Sequence, residues 1–270
     1  MTPLWLEEIE QKAGAFQVLL VEGTEDEKII SNFLNRLPSA NEWGTRFKIH
    51  PAGRKEHVLI GLRSHADWIG IVDQDEWGEA RVRQEVANLP NLRPLPRFCI
   101  ESYFCDPSEL WQMLPANQKN RINNEFVRLE NPILAALPNW IQHGALWRVL
   151  HHLYRNTRFP ADLEDRPVGD EREIRIRLEQ WHQQLSPDVI ILSYQQELAA
   201  SSQLMQSNFL RTYVHGKKFF REVISLQLNR VFGQKSVDTW MDEFSTSNTA
   251  IPDDLANYLN SIIQDFQVNP

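Results

Sequence analysis

The stretch F-Q-V-L-L-V-E-G-T-E-D (Phe16–Asp26) sets the start of the fold. Its apolar part, Phe16–Val21, is short and continuous, as expected for a buried strand of a parallel sheet. Glu22-Gly23 interrupts this run, and apolar residues then recur at helical spacing up to Leu37, after which Pro38 ends the pattern. The sequence therefore predicts a strand that leads directly into a helix.

The same alternation of strand-like and helix-like segments continues over the first hundred residues. Further strands are predicted over Phe47–His50, Trp68–Val72 and Arg97–Ile100, with a helical stripe over Val58–Leu62. Strands separated by helices of this length form βαβ units, in which the strands run parallel. We therefore predict an α/β fold with a Rossmann-like parallel sheet in residues 1–115.

The pattern beyond Asp106 is mainly helical, with prolines between the helices. We predict a mostly helical domain over residues 116–270, with one further strand at Val189–Leu192. The segment Asp162–Glu173 is charged and rich in turn-forming residues, which is typical of an exposed loop.

The composition is that of a globular protein, with 42% hydrophobic and 24% charged residues. No segment approaches the roughly 20 uninterrupted apolar residues of a membrane helix. The N-terminus lacks the basic start and apolar core of a signal peptide. Cys99 and Cys105, the two cysteines, form neither a disulfide framework nor a zinc-site spacing. These features predict a cytoplasmic protein without membrane contact.

The net charge of −8 argues against a protein that coats DNA, because binding to many phosphates requires an excess of Lys and Arg. A nuclease remains compatible with this charge, since metal-binding carboxylates add negative charge while a local basic patch binds substrate. Basic residues cluster at Arg172–Arg177 and at Lys217-Lys218. The Walker pattern of ATP-binding loops is absent, so the chain is not expected to hydrolyse ATP by itself.

Acidic residues follow three of the predicted strands: Glu22 after the first, Asp73 and Asp75 after the third, and Glu101 after the fourth. In an open parallel sheet, functional groups collect beyond the carboxyl ends of the strands. Converging carboxylates repel one another, and a hard divalent cation, Mg²⁺ or Mn²⁺, removes that repulsion. The sequence therefore predicts a metal site at this edge. The alternative interpretation is that these residues are solvated loop residues.

V-E-G-T-E-D (Val21–Asp26), followed by a helix and then by I-V-D-Q-D (Ile71–Asp75), resembles the TOPRIM domain of bacterial primases, topoisomerases and OLD nucleases. The resemblance implies that Glu22 is a metal ligand or the base that activates water. It also implies that Asp73 and Asp75 hold the metal, with Glu101 as a further ligand. Asp26 would hold a second metal or support the first. Alternatively, Asp26 is a carboxylate favoured by the helix dipole.

Three shorter motifs resemble a narrower family of stand-alone TOPRIM proteins that includes the effector of the PARIS anti-phage system. They are A-G-R-K (Ala52–Lys55), I-E-S-Y (Ile100–Tyr103) and H-G-K-K-F-F (His215–Phe220). The family usually has Glu-Asn-Tyr where this chain has Glu-Ser-Tyr. The resemblance implies that the basic side chains contact nucleic acid, namely Arg54, Lys55, Lys217 and Lys218. Lys217 or Lys218 would also supply positive charge in catalysis.

The leading hypothesis from the sequence is a Mg²⁺-dependent endonuclease that cuts RNA, including tRNA, or DNA. By its resemblance it is a toxic effector of antiviral defence that works with an ATPase partner. A homo-oligomer is compatible with the sequence. The alternatives are a housekeeping enzyme that processes RNA or DNA and a TOPRIM module that binds a partner without catalysis.

Overall fold

The structure is a computed structural model, and it describes residues 3–38, 43–75, 77–156, 171–204 and 208–268. Within these residues, four strands form one sheet in the order β2-β1-β3-β4, and every pair is parallel. The strands are β1 (Gln17–Val21), β2 (Phe47–Pro51), β3 (Ile69–Val72) and β4 (Leu92–Pro94). The predicted α/β fold with a parallel sheet and a helical C-terminal region is confirmed.

Helices cover both faces of the sheet, which explains why the central strands β1 and β3 are almost wholly apolar. One face packs against α1 (Leu4–Ala13) and α3 (Lys55–Ser64), in a core that includes Leu6, Leu20, Val58 and Leu62. On the other face lies α2 (Thr24–Arg36), which buries Ile29, Ile30, Phe33 and Leu34. The fourth helix of this region is α4 (Glu79–Asn88).

The fourth strand lies at Leu92–Pro94, so the prediction of a strand at Arg97–Ile100 is wrong. Leu92 pairs with Gly70 and Pro94 with Val72, whereas the backbone N–H of Phe98 donates to the carbonyl of Arg211 at 2.7 Å. The apolar residues Phe98–Ile100 are buried by the C-terminal part of the chain instead of by neighbouring strands. The segment continues into a 3₁₀ helix over Ile100–Phe104, so Glu101 lies in a helical turn after the sheet and not at the end of a strand.

The rest of the described chain is helical. It comprises α5 (Pro107–Met113), α6 (Ala116–Arg121), α7 (Val127–Asn156), α8 (Glu171–Gln184), α9 (Pro187–Ser201), a π-helical turn (Phe209–Tyr213), α10 (Gly216–Phe219), a second π-helical turn (Phe220–Ile224), α11 (Ser225–Phe232), α12 (Val237–Thr246) and α13 (Asp253–Val268). Among the described helices, none is both long enough and apolar enough to cross a membrane.

The predicted strand at Val189–Leu192 is wrong, because these residues lie inside α9. Pro187 at the first helical position fixes a backbone angle that suits a helix start. For the charged segment Asp162–Glu173, residues 162–170 lie outside the described residues, and from Glu171 onward the chain is helical.

The chain divides into two compact units, Met1–Ala135 with Leu210–Pro270, and Ala136–Phe209. This division differs from the predicted boundary between residues 115 and 116. The physical reason is that C-terminal helices pack on the α/β part: Asn32 Nδ2 donates to Ser245 Oγ at 2.9 Å, and the Arg36 guanidinium donates to the Phe244 carbonyl at 3.1 Å. The second unit contains the later part of α7 together with α8 and α9.

Candidate carboxylate site

Six carboxylates line one pocket at the carboxyl edge of the sheet. Five of them are Glu22, Asp26, Asp73, Asp75 and Glu101, the five acidic residues selected from the sequence, and the sixth is Glu25. All belong to the unit that contains the sheet. The fold therefore brings together residues that are up to 79 positions apart, from Glu22 to Glu101.

The ends of β1 and β3 are joined by a hydrogen bond between two predicted site residues. The backbone N–H of Asp73 donates to Glu22 Oε1 at 2.8 Å. This contact follows from the pairing of β1 with β3, which places the first residue after each strand at the same edge. The backbone N–H of Ile100 donates to Asp73 Oδ1 at 3.3 Å, so the Asp73 carboxylate is held by the segment that carries Glu101.

Asp75 lies in a turn with an unusual backbone conformation, since its φ is 47°. Few residues other than glycine adopt this left-handed region, and Asp is among those that tolerate it best. The backbone N–H of Asp75 donates to the carbonyl of Phe98 at 2.8 Å, which fixes the turn. The Asp75 carboxylate is thereby directed toward the first residue of α3, Lys55.

Lys55 lies inside the acidic site. Its Nζ donates to Asp75 Oδ2 at 2.6 Å and to the Asp73 carbonyl at 2.7 Å, and it lies 3.7 Å from Glu22 Oε1. The side chain is buried, with 8% of its surface exposed. The structure therefore does not support the prediction that Lys55 contacts nucleic acid: burial and three oxygen neighbours hold its ammonium within the site. Arg54, the preceding residue, is exposed and lines the pocket, as a substrate contact requires.

Lys217 reaches the site from the C-terminal part of the chain. Its Nζ donates to Glu25 Oε2 at 2.9 Å and lies 3.7 Å from Glu101 Oε1. Burial alone would lower the Lys217 pKa, but the hydrogen bond to Glu25 and the charge of Glu101 outweigh it and raise the pKa. Lys218 is not among the residues that line the pocket. Of the two lysines selected from the sequence, Lys217 is thus the one beside the carboxylates.

Asp26 lies in the first turn of α2 and interacts both with the start of that helix and with the pocket. Its Oδ2 accepts a 2.8 Å hydrogen bond from the backbone N–H of Gly23, the residue before the helix. This is the local, helix-stabilising role that the sequence offered as the alternative. Asp26 also lines the pocket, and its pKa responds to Glu101 and Lys217, so it belongs to the electrostatic environment of the site as well.

Three of the carboxyl groups have pKa values above their usual range. Burial, partly offset by Lys55, raises the Glu22 pKa to about 7. Burial and the nearby Glu101 raise the Asp26 pKa to about 6 despite the Gly23 hydrogen bond. The Asp73 pKa is raised well above its usual value by burial and by the charges of the four surrounding carboxylates. The site thus concentrates more negative charge than its own cations neutralise.

The donor chemistry of the pocket fits a hard divalent cation. Carboxylate oxygens are the ligands that Mg²⁺ and Mn²⁺ prefer. Six carboxylates face three basic side chains, those of Arg54, Lys55 and Lys217. Over the described ranges, however, the His, Cys, Asp and Glu side chains form no group of three or more that is already placed to hold a metal ion. At this edge Lys55 is the shared counter-ion of Glu22 and Asp75.

A search of protein-family models, curated proteins and solved structures finds no match to this chain.

The pocket also contains residues to which the sequence assigned no role, among them Glu25 and His215. Glu25 pairs with Lys217, and His215 lines the pocket, with its ring 5.3 Å from that of Phe98. Glu25 lies in the motif Val21–Asp26 and His215 in the motif His215–Phe220, but the resemblance assigned no role to either position. The position of Glu25 one residue before Asp26 gave no signal of its own, because acidic residues are common in the first turn of a helix.

Proposed function

We propose that this protein is a divalent-metal-dependent nuclease whose active site is the carboxylate pocket at the edge of the sheet. The observation that carries this proposal is the convergence of Glu22, Asp73 and Asp75 with raised pKa values for Glu22 and Asp73. A site of this kind costs stability in the absence of a compensating cation, and such costs are concentrated at functional sites. The resemblance of the two acidic motifs to TOPRIM nucleases supports the same reaction.

Glu22, Asp73 and Asp75 would hold the cation, with Glu101 as a further ligand. A bound Mg²⁺ or Mn²⁺ supplies charge compensation for a phosphodiester and lowers the pKa of water. As an alternative to binding the cation, Glu22 would be the base that accepts a proton from an attacking water. Arg54 at the rim would contact substrate phosphate, and Lys217 would stabilise negative charge that develops on phosphate oxygens.

The decisive experiment compares cleavage of RNA, including tRNA, and of DNA in the presence of Mg²⁺ or Mn²⁺ by the wild-type protein and by Glu22→Gln and Asp75→Asn. Both variants should lose cleavage while they remain folded. Asp67→Asn is the matched control, because Asp67 is an exposed carboxylate just before β3 rather than just after it. Wild-type cleavage rates in both site variants would exclude this site as the catalytic one.

We also propose a biological role, that of an antiviral effector in the cytoplasm whose toxicity is controlled by an ATPase partner. This part rests on the motif resemblance in Ala52–Lys55, Ile100–Tyr103 and His215–Phe220. Expression of the protein with and without the product of any adjacent ATPase gene, during phage infection, tests it. Protection that needs both genes and disappears with Glu22→Gln is the expected result.

A further inference from the structure

Lys55 is a lysine buried among carboxylates. Its side chain is 8% exposed, whereas that of Lys217, a lysine that lines the pocket, is 51% exposed. Lysine is rarely buried, because removing an ammonium from water is costly unless it is fully paired. Here its three oxygen neighbours come from Glu22, Asp73 and Asp75, the same three residues to which the proposed function assigns the cation.

The surroundings of Lys55 hold its ammonium in place. Lys55 begins α3, and its Nζ lies 4.8 Å from the centre of the Trp77 ring. Trp77 is itself 3% exposed. The aromatic face adds a further stabilising contact to those of the oxygens, which favours a cation at this point. Such a position suits a counter-ion.

An ammonium and a divalent cation compete for the same oxygens. Two positive charges a few ångströms apart repel strongly where water is scarce. The 2.6 Å bond to Asp75 and the 3.7 Å approach to Glu22 mean that a cation bound to both carboxylates would lie next to Nζ. The two cations therefore disfavour each other at these oxygens.

We propose that Lys55 is a built-in counter-ion: its ammonium holds Glu22 and Asp75 together when no divalent cation is bound, and it leaves these oxygens when one binds. This makes Lys55 a positioning residue that keeps the carboxylate cluster folded without metal and sets its metal affinity. The inference rests on the proposed function, since it assumes that the pocket binds a divalent cation.

The test is Lys55→Met, which keeps the length and apolar stem of the side chain and removes its charge. Mn²⁺ binding is measured by the electron paramagnetic resonance signal of free Mn²⁺, and thermal unfolding is recorded with and without Mn²⁺. We expect about tenfold tighter Mn²⁺ binding, which corresponds to about 1.4 kcal/mol. We also expect a lower metal-free Tm and a larger rise in Tm with Mn²⁺. Lys28→Met, at a lysine that is 56% exposed, is the control and should leave Mn²⁺ affinity unchanged.

A second measurement uses the wild-type protein and does not depend on whether the variant folds. Lysines are acetylated with limiting acetic anhydride, with and without Mn²⁺, and each is quantified by mass spectrometry. Acetylation of Lys55 should rise severalfold with Mn²⁺, while that of Lys28 stays constant. If the wild type binds Mn²⁺, unchanged or weaker Mn²⁺ binding by Lys55→Met, or unchanged Lys55 acetylation, overturns this inference but not the proposed function. A wild type that binds no Mn²⁺ overturns the proposed function and this inference together.

Discussion

Gly216 approaches Ser102 so closely that no other residue fits at its position. A Cβ atom on Gly216 would lie 2.4 Å from Ser102 Oγ, 2.7 Å from Cys99 Sγ and 2.9 Å from the Ser102 backbone nitrogen. The residue that follows, Lys217, is the one that reaches Glu25 and Glu101. The absence of a side chain at Gly216 thus lets the segment that carries Lys217 pack against Ser102.

Gly216→Ala should therefore displace Lys217 from the carboxylates. We expect a stability loss of about 1–3 kcal/mol from overpacking and a cleavage rate lower by about a hundredfold, as for a misplaced catalytic group. Chemical denaturation and single-turnover cleavage measure the two effects. Gly44→Ala is the control, because nothing lies within 4 Å of a Cβ at Gly44. Normal stability with a normal rate would contradict the close packing described here.

Lys217→Ala and Lys218→Ala should have unequal effects, because Lys217 alone of the pair lines the pocket. Loss of a transition-state donor typically costs about a hundredfold in rate, and we expect this loss for Lys217→Ala. Lys218→Ala should change the rate little and act on substrate binding instead. The rate at saturating substrate separates the two. Equal rates for both variants would show that the segment takes no direct part in cleavage.

Asp73→Asn should stabilise the metal-free protein at pH 8. The wild-type Asp73 carboxyl has a raised pKa because of burial and the surrounding carboxylates, so a neutral amide relieves repulsion and can still accept the hydrogen bond from Ile100. The same variant should lose the rise in Tm that Mn²⁺ produces in the wild type. Differential scanning calorimetry with EDTA and with Mn²⁺ tests both outcomes. A lower metal-free Tm would show that Asp73 is needed as an anion for folding.

The metal-free protein should become less stable as pH rises from 5 to 8. A carboxyl group whose pKa is higher in the folded state binds more protons there, so its contribution to stability is present at low pH and is lost as pH rises through the folded-state pKa. Those values are about 7 for Glu22 and about 6 for Asp26. The free energy of unfolding, measured with urea in EDTA, should therefore fall over this window.

Two comparisons isolate the source of that pH dependence. Glu22→Gln should reduce the decrease in the free energy of unfolding above pH 6, because it removes the carboxyl group with the higher of the two pKa values. Saturating Mn²⁺ should also reduce it, since the cation replaces protons on the carboxylates and binds more tightly as pH rises. An unchanged slope in Glu22→Gln would assign the effect to other groups.

The sheet and its acidic edge could be predicted from the sequence because they follow from local patterns. Short apolar runs mark β1 and β3, whereas β2 alternates apolar and polar residues. The residue after a parallel strand lies at the functional edge whatever the rest of the chain does. The same reasoning failed for Arg97–Ile100, since an apolar run buried by a distant segment has the same pattern as one buried in a sheet.

The inner location of Lys55 could not be predicted either. A lysine beside an exposed arginine in a turn is usually solvated, and only the tertiary arrangement of Glu22, Asp75 and Trp77 reverses this. The sequence also left open which of Lys217 and Lys218 points inward. The contacts of Lys217 with Glu25 and Glu101 answer this, and they join residues more than a hundred positions apart.

The insertion of residues 136–209 into the unit that contains the sheet has a consequence for synthesis on the ribosome. The sheet and all six carboxylates emerge early, but Lys217 and the helices that pack on α2 are made only with residues 210–270. Until then the apolar face formed by Phe33 and Phe47 lacks its cover, which includes Phe266 stacked on Phe47 at 4.2 Å. The nascent chain therefore cannot complete its acidic pocket until residues 210–270 have been made, so any activity of that pocket has to await this segment.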